Sequence, residues 1–176
     1  MKRSSERILT THAGALPQPP ALREALRAEG EGTKAPATLD RQIQDAVAEV
    51  VQKQIETGVD VITDGEESKA SFSTYVRERL SGLVDRQYKP GERSTMTYGA
   101  DYRAFPEYFA QRGNRAGDST CVGPLRYVGQ ESVSADIRRF KAALAGTEPV
   151  DAFLPSIAPG TIEHWLQNQY YGSDEE

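Results

Sequence analysis

Residues 58–69 read Gly-Val-Asp-Val-Ile-Thr-Asp-Gly-Glu-Glu-Ser-Lys. They carry four ionisable side chains, Asp64, Glu66, Glu67 and Lys69, into one turn around Gly65. Carboxylates crowded at the end of an apolar strand are costly unless something pairs or uses them. Such groups bind an ammonium or move a proton. Asp64 has the chemistry of a general base, or it orients the turn. Glu66 reads as a ligand-binding or catalytic carboxylate, the plainer role being a charge at the start of the next helix. Glu67 and Lys69 are expected at the surface. Upstream, His12 closes the run Thr10-Thr11-His12 ahead of Ala13-Gly14-Ala15-Leu16-Pro17. It is a candidate proton donor or substrate contact, against the alternative of a hydrogen-bonded structural histidine. Ser156 is a weaker candidate for substrate contact. His164, beside Trp165, reads as structural or interfacial. Cys121, the one cysteine, has no internal disulfide partner and reads as a buried structural residue, the alternative being a reactive thiol.

The elements that position these residues follow from local pattern. Ile8–His12 reads as a strand broken by Gly14 and by Pro17, Pro19 and Pro20. Pro20 suits the first turn of a helix with Leu22, Ala25 and Leu26 on one face and Gly30 as its stop. Thr38 is placed to cap a long helix over 39–57, with Leu39, Ile43, Val47, Val50 and Ile55 inward and Gly58 ending it. Val59–Thr63 forms the second strand, and its unbroken apolar character suits burial on both faces. Residues 71–83 read as a helix with Phe72, Tyr75, Val76 and Leu80 inward. Residues 84–118 lose the core pattern apart from a short helix over 105–112. Tyr88, Tyr98, Tyr102, Phe105, Tyr108 and Phe109 mark this excursion as a contact surface. A strand over 122–128, a helix over 135–145 capped by Ser134, with Ile137, Phe140 and Leu144 inward, a strand over 150–154 and a short helix over 161–168 complete the chain. The alternation of strands and helices indicates an α/β fold built from parallel βαβ units. Three strands end near Thr11, Thr63 and Leu154, and strand ends carry the chemistry in such folds.

The chain of 176 residues is 38% hydrophobic and 27% charged, which suits one domain over 1–176 with the excursion at 84–118 inside it. A net charge of −5 argues against nucleic acid or an anionic membrane as partner. No apolar run has the length of a membrane span, and no apolar core follows the basic start Met1-Lys2-Arg3. A cytoplasmic location is therefore expected.

Thr10-Thr11-His12-Ala13-Gly14-Ala15-Leu16-Pro17-Gln18-Pro19 resembles the opening of the cobalamin-independent methionine synthase family, where a TTH-x-GS-x-PRP pattern ends the first barrel strand. Gly58 to Glu66 resembles that family's second strand and its GE turn, and 154–172 resembles the third-strand region of its shorter bacterial members. The resemblance implies a TIM (β/α)8 barrel, of which this chain spans roughly the first three β/α units. It also implies transfer of a methyl group from a methyl-folate to the homocysteine thiol, which a zinc ion activates. Thr11, His12, Gly14 and Ala15 would then cradle the carboxylate of an amino-acid-like substrate, Glu66 would hold its ammonium group, and His12, Asp64 and Glu66 would be catalytic. Ala15 replaces the usual serine, and Gln18 an arginine. The family's zinc ligands, a His-x-Cys pair, a glutamate and a distant cysteine, belong to later units and have no counterpart here. Zinc and methyl-folate therefore enter only if a second polypeptide completes the barrel and supplies the ligands.

An unfinished barrel leaves two sheet edges bare, so a split enzyme with a partner chain is expected in preference to a self-assembling half-barrel or a fragment. The opening Met1 and the acidic end Asp174-Glu175-Glu176 favour a natural subunit. Two other functions stay open: a zinc-free barrel subunit catalysing elimination or cyclisation on an amino-acid-like substrate, and a non-catalytic scaffold that stabilises a partner enzyme.

Overall fold

The computed structural model describes residues 2–30, 36–71, 74–86, 99–110 and 119–173. They group into two compact units, one formed by 1–71 and 130–156 and the other by 72–129 and 157–176.

The first unit is built around a long helix. Pro20 opens helix α1 (Pro20–Gly30), whose Leu22, Ala25 and Leu26 are buried at the three-and-four spacing of one helix face. Helix α2 (Leu39–Glu56) buries Leu39, Ile43, Ala46, Val47, Val50, Val51 and Gln54, as its apolar stripe requires. Gly58, at φ +78°, ends it. Thr38 does not cap it through its side chain. Its backbone is already helical, with φ −89° and ψ −5°, and the Leu39 N–H donates to the Pro36 carbonyl instead. Helix α6 (Gln130–Leu144) packs along α2 and contributes Phe140 to the core. It starts five residues before the sequence-based boundary, so Ser134 lies within it, and Ile137 is exposed where an inward position was expected.

Strand β1 (Val61–Ile62) pairs in parallel with β4 (Asp151–Ala152), Val61 facing Asp151 and Ile62 facing Ala152. On the other side of β1 the segment at Thr10–Thr11 also runs parallel. Thr11 bridges Val61, and the Thr10 carbonyl accepts from the Asp60 and Val61 N–H groups at 3.2 and 3.0 Å. The expected first strand over 8–12 is thus a single bridge. The order first segment, β1, β4 is the parallel array that the βαβ alternation implied. Asp60 secures its start: Arg7 pairs with its carboxylate, and the Thr10 N–H donates to it at 2.8 Å.

In the second unit the described elements are α3 (Thr74–Arg79), β2 (Leu83–Asp85), α4 (Gly99–Ala104), α5 (Pro106–Ala110), β3 (Ser119–Cys121), α7 (Pro159–Trp165) and β5 (Leu166–Asn168). β3 lies between β2, antiparallel, and β5, parallel. Gly82, at φ +81°, makes the entry to β2 possible, because a Cβ there would stand 2.5 Å from the Gly123 carbonyl oxygen. This sheet corrects three expectations. Residues 83–85 form a strand although their surroundings lack a core pattern. The strand expected over 122–128 lies at 119–121, with an isolated bridge at Tyr127. The helix expected over 161–168 stops at Trp165, because Leu166 turns extended (φ −90°, ψ 139°) and its successors pair with β3. Pairing with a distant strand overrides local propensity at each place. Phe72, Tyr88 and Tyr98 fall outside the described residues, as do the side chains of Tyr102 and Phe109. Among the described residues no helix is long and apolar enough to cross a membrane.

The end of β1 is fixed by a side chain. The buried Gln54 amide of α2 donates to the Thr63 carbonyl at 2.8 Å and accepts from the Thr63 N–H at 3.1 Å. Gln54→Leu strands both backbone groups in the interior and lowers unfolding free energy by about 2–4 kcal/mol, read as a shifted urea midpoint with unchanged slope.

Candidate active site

Beyond Thr63 the chain folds into a tight turn. The Gly65 N–H donates to the Thr63 hydroxyl at 3.2 Å, the Glu66 N–H to the Asp64 carboxylate at 3.1 Å, and the Lys69 N–H to the Glu66 carbonyl at 3.0 Å. Two successive residues, Gly65 at φ +66° and Glu66 at φ +59°, are left-handed. Gly65 is required, since a Cβ there would lie 3.0 Å from Val50 Cγ1 and 3.3 Å from Leu16 Cβ. Glu66 is the only non-glycine residue at positive φ among those described. A residue with a long side chain is held there at some energetic cost, and such strain gathers at functional sites.

Two other strand ends are tied to this turn. The Leu16 N–H donates to the Gly65 carbonyl at 2.9 Å, and the Gln18 amide donates to the Lys69 and Glu67 carbonyls at 2.9 and 3.3 Å. Lys69 reaches the third strand, donating to the Pro155 carbonyl at 2.8 Å. The termini of all three parallel segments therefore meet at Asp64–Lys69. Ser156 follows Pro155 directly and is exposed at the same end. His12 is half-buried, while Gly14, at φ +84°, and Ala15 are exposed, with open space around Gly14. Thr11 Oγ1 donates to the Val61 carbonyl at 2.7 Å, so its hydroxyl is engaged in holding the strands.

The turn is far more buried than its composition suggests. Asp64 is 2% exposed, Glu66 9%, Glu67 1% and Lys69 7%. Glu67 and Lys69 are thus not the surface residues expected from the sequence. The left-handed pair and the Leu16 and Gln18 bonds tuck the whole turn beneath the N-terminal segment. Burial raises the Asp64 pKa; Lys69 opposes the rise, while Asp136 of α6 and Glu66 add to it. Burial, reinforced by the Asp64 and Glu49 charges, pushes Glu67 up to about 7. Asp60 behaves in the opposite way, its carboxyl held well below the usual range by hydrogen bonds from Arg7 and Thr10. Gln54 and Asp60, neither a candidate from the sequence, position the site together with Lys69, expected at the surface, and Gln18, noted only as replacing an arginine. A glutamine four residues before a strand-entry glycine-valine pair, and one inside a proline-rich turn, carry no pattern that marks them.

Cys121 is buried, its Sγ set 3.3 Å from the Gly123 carbonyl oxygen, which agrees with a structural role. It lies in the second unit, as does the exposed His164, whereas His12 belongs to the first. Among the described residues no group of three or more His, Cys, Asp or Glu side chains could hold a metal ion.

Parallel strand ends that converge on a buried acidic turn define an α/β protein with a candidate site at the C-terminal edge of the sheet. Residues 8–92 match the family described as the cobalamin-independent synthase catalytic domain. The chain is similar to the N-terminal half of cobalamin-independent methionine synthases. It is 28% identical over 167 residues to a methionine synthase of Sulfurisphaera tokodaii, covering 95% of this chain and 43% of that protein. It is 26% identical over the same length to a methionine synthase of Sulfolobus acidocaldarius, with 95% and 42% covered. The fold is similar to that of a B12-independent methionine synthase from Shewanella sp., solved in complex with selenomethionine. There the TM-score is 0.59 at 22% identity, over 94% of this chain and 42% of the other. The chain thus spans less than half the length of these relatives.

Two outcomes test the turn. Glu67 and Asp64 are acids whose pKa is raised by folding, so the folded chain keeps protons that the unfolded chain releases. Stability contributed by Glu67 is full below its ordinary value of 4.5 and falls as pH rises to about 7. Glu67→Gln flattens that slope in urea midpoints measured across the window, leaving a weaker slope of the same sign from Asp64. Independently, Glu66→Gly relieves the left-handed backbone and raises stability by about 1 kcal/mol. A thermal midpoint that falls instead would show that the Glu66 side chain itself holds the turn.

Proposed function

We propose that the chain supplies the amino-acid end of a methionine-synthase-like active site, in a barrel completed by a second polypeptide, and supports methyl transfer to the thiol of homocysteine or a similar substrate. The convergence of three parallel strand ends on the buried Glu66 and Asp64 carries this reading. Glu66 accepts the substrate ammonium in a charge-assisted contact, which recovers part of the cost of burying its carboxylate. Backbone N–H groups of His12–Ala15 lie at the same edge and serve the substrate carboxylate. Asp64, with its raised pKa, takes up a proton at the site, and Lys69 balances its charge while gripping the third strand end. The similarity to methionine synthases supports the reaction class.

The sheet supports the partner. Among the described residues the Thr10–Thr11 segment and β4 each pair only with β1, so both sides of the parallel array end in an edge. A cleft of about 530 Å³ beside them is lined by Leu9, Thr11, Val61 and Phe153. Edges of this kind are normally covered. The described residues do not fit a zinc ion, so zinc and methyl-folate belong in this proposal to the completing chain. A second reading, a zinc-free barrel performing elimination or cyclisation, is favoured by one observation: Asp64 and Glu67 both sit nearer neutrality than ordinary carboxylates.

Co-expression with the product of the neighbouring gene, followed by zinc analysis and a methionine-forming assay, separates the readings. A complex that is active without zinc ends the methyl-transfer version. In the active complex Glu66→Gln weakens homocysteine binding about ten- to a hundredfold, with the complex intact. Unchanged binding and turnover would mean that the chain is scaffolding.

A further inference from the structure

Glu67 does not belong only to the strand-end site. It also lines a cleft of about 440 Å³ in the first unit, between the His12–Pro19 turn and the C-terminal half of α2. That volume is within the range of small-molecule sites. Leu16, Pro17, Val50 and Val59 give it apolar walls. Two polar atoms of the lining, Nε2 of His12 and Oε2 of Glu67, are buried without a hydrogen-bond partner among the described residues. An unmet carboxylate oxygen on a residue 1% exposed is unusual, because the desolvation cost is carried in full.

The walls do not meet it. The Gln54 amide nitrogen is committed to the Val50 and Thr63 carbonyls, Lys53 to Glu49, and the Thr57 hydroxyl to the Lys53 carbonyl. None of these groups donates to Glu67 Oε2 or His12 Nε2 in this structure. The charge is also one-sided. Glu49 and Glu67 face the cleft against the single cation Lys53, which pairs with Glu49 and also acts on Glu67, and Asp64 adds its charge to Glu67 from the adjoining turn. An anion is disfavoured there. A metal ion lacks a ligand set, since no group of three suitable side chains occurs among the described residues. A primary ammonium offers three donors and no acceptor, and so suits an unmet carboxylate oxygen.

We propose that this cleft is a second binding site, distinct from the strand-end site, for a small organic cation: a primary ammonium on a short alkyl body. The ammonium donates to Glu67 Oε2 beside His12, and the alkyl part lies on Leu16, Pro17 and Val50.

Butylammonium, with butanol as its neutral isostere, tests this by amide chemical shifts of the isotope-labelled full chain. Saturable shifts at His12, Lys53 and Gln54 are expected with butylammonium, and butanol binds at least about tenfold more weakly. Glu67→Gln reduces butylammonium affinity about tenfold, whereas Glu66→Gln leaves it unchanged. The proposal is overturned if butanol binds equally well, if no saturable shift occurs, or if the shifts are confined to Asp64–Glu66 and Ser156. Should Glu67→Gln not fold, the comparison of butylammonium with butanol on the unaltered chain decides alone.

Discussion

The site rests on the hydrogen bonds between Gln54 and Thr63. Thr63 stands where β1 has ceased to pair and where its backbone groups are already out of water. The side-chain amide of α2 supplies both the donor and the acceptor that a neighbouring strand would have supplied. The same amide nitrogen also donates to the carbonyl of Val50, one turn earlier. Val50 is in turn the residue against which Gly65 packs. Two positions four apart on one helix face thus determine where the strand stops and where the acidic turn begins. Helix propensity and apolar stripe place α2, α2 places Thr63 and Gly65, and these place Asp64 and Glu66.

The turn that results is electrostatically unbalanced. Three carboxylates, Asp64, Glu66 and Glu67, share a buried space with the single ammonium of Lys69. Removing such groups from water costs several kcal/mol per ion unless they are paired or neutralised. The raised pKa values of Asp64 and Glu67 are that cost, expressed as a preference for the acid form. Asp60, at the other end of the same strand, shows what a settled carboxylate looks like. Arg7 and the Thr10 backbone satisfy it, and its acidity increases. The strand therefore has a stabilising acid at its entry and two destabilised acids at its exit. Only the exit has the character of a site.

Much of this was legible in the sequence, and the reasons differ by element. Helix α2 declared itself through Leu39, Ile43, Val47 and Val50, because a helix stripe is a local, periodic signal. Gly58 and Gly65 were legible as punctuation. The acidic turn was legible as a crowd of charges, and its resemblance to a family motif gave Glu66 a role. The depth of the turn was not legible. Glu67 and Lys69 look solvated until Leu16 and Gln18 bond across them, and those bonds join residues nearly fifty positions apart. The second unit was hidden for a related reason. Strands of three residues such as β2 and β3 have no periodicity to detect, and only their pairing defines them.

Because Glu67 faces the α2 cleft while feeling the charge of Asp64, the two regions of the turn are not independent. A cation held at Glu67 favours its ionised form. That added negative charge raises the proton affinity of Asp64, whereas the cation itself lowers it. The sign of the net effect depends on distance: the Glu67 carboxylate and its cation form a close pair, and a close pair is felt by Asp64 as little more than a dipole. Occupation of the cleft therefore cancels most of the influence that an unpaired, ionised Glu67 exerts on Asp64. By linkage the exchange runs both ways: neutralising Asp64 makes Glu67 easier to ionise, and it removes a negative charge that also attracts the cation, so the two effects on cation binding oppose each other. The coupling needs no moving element. It follows from placing consecutive acidic residues on a turn rigid enough, through Gln54, Gly65 and Gln18, that their charges can be relieved only by what binds to them.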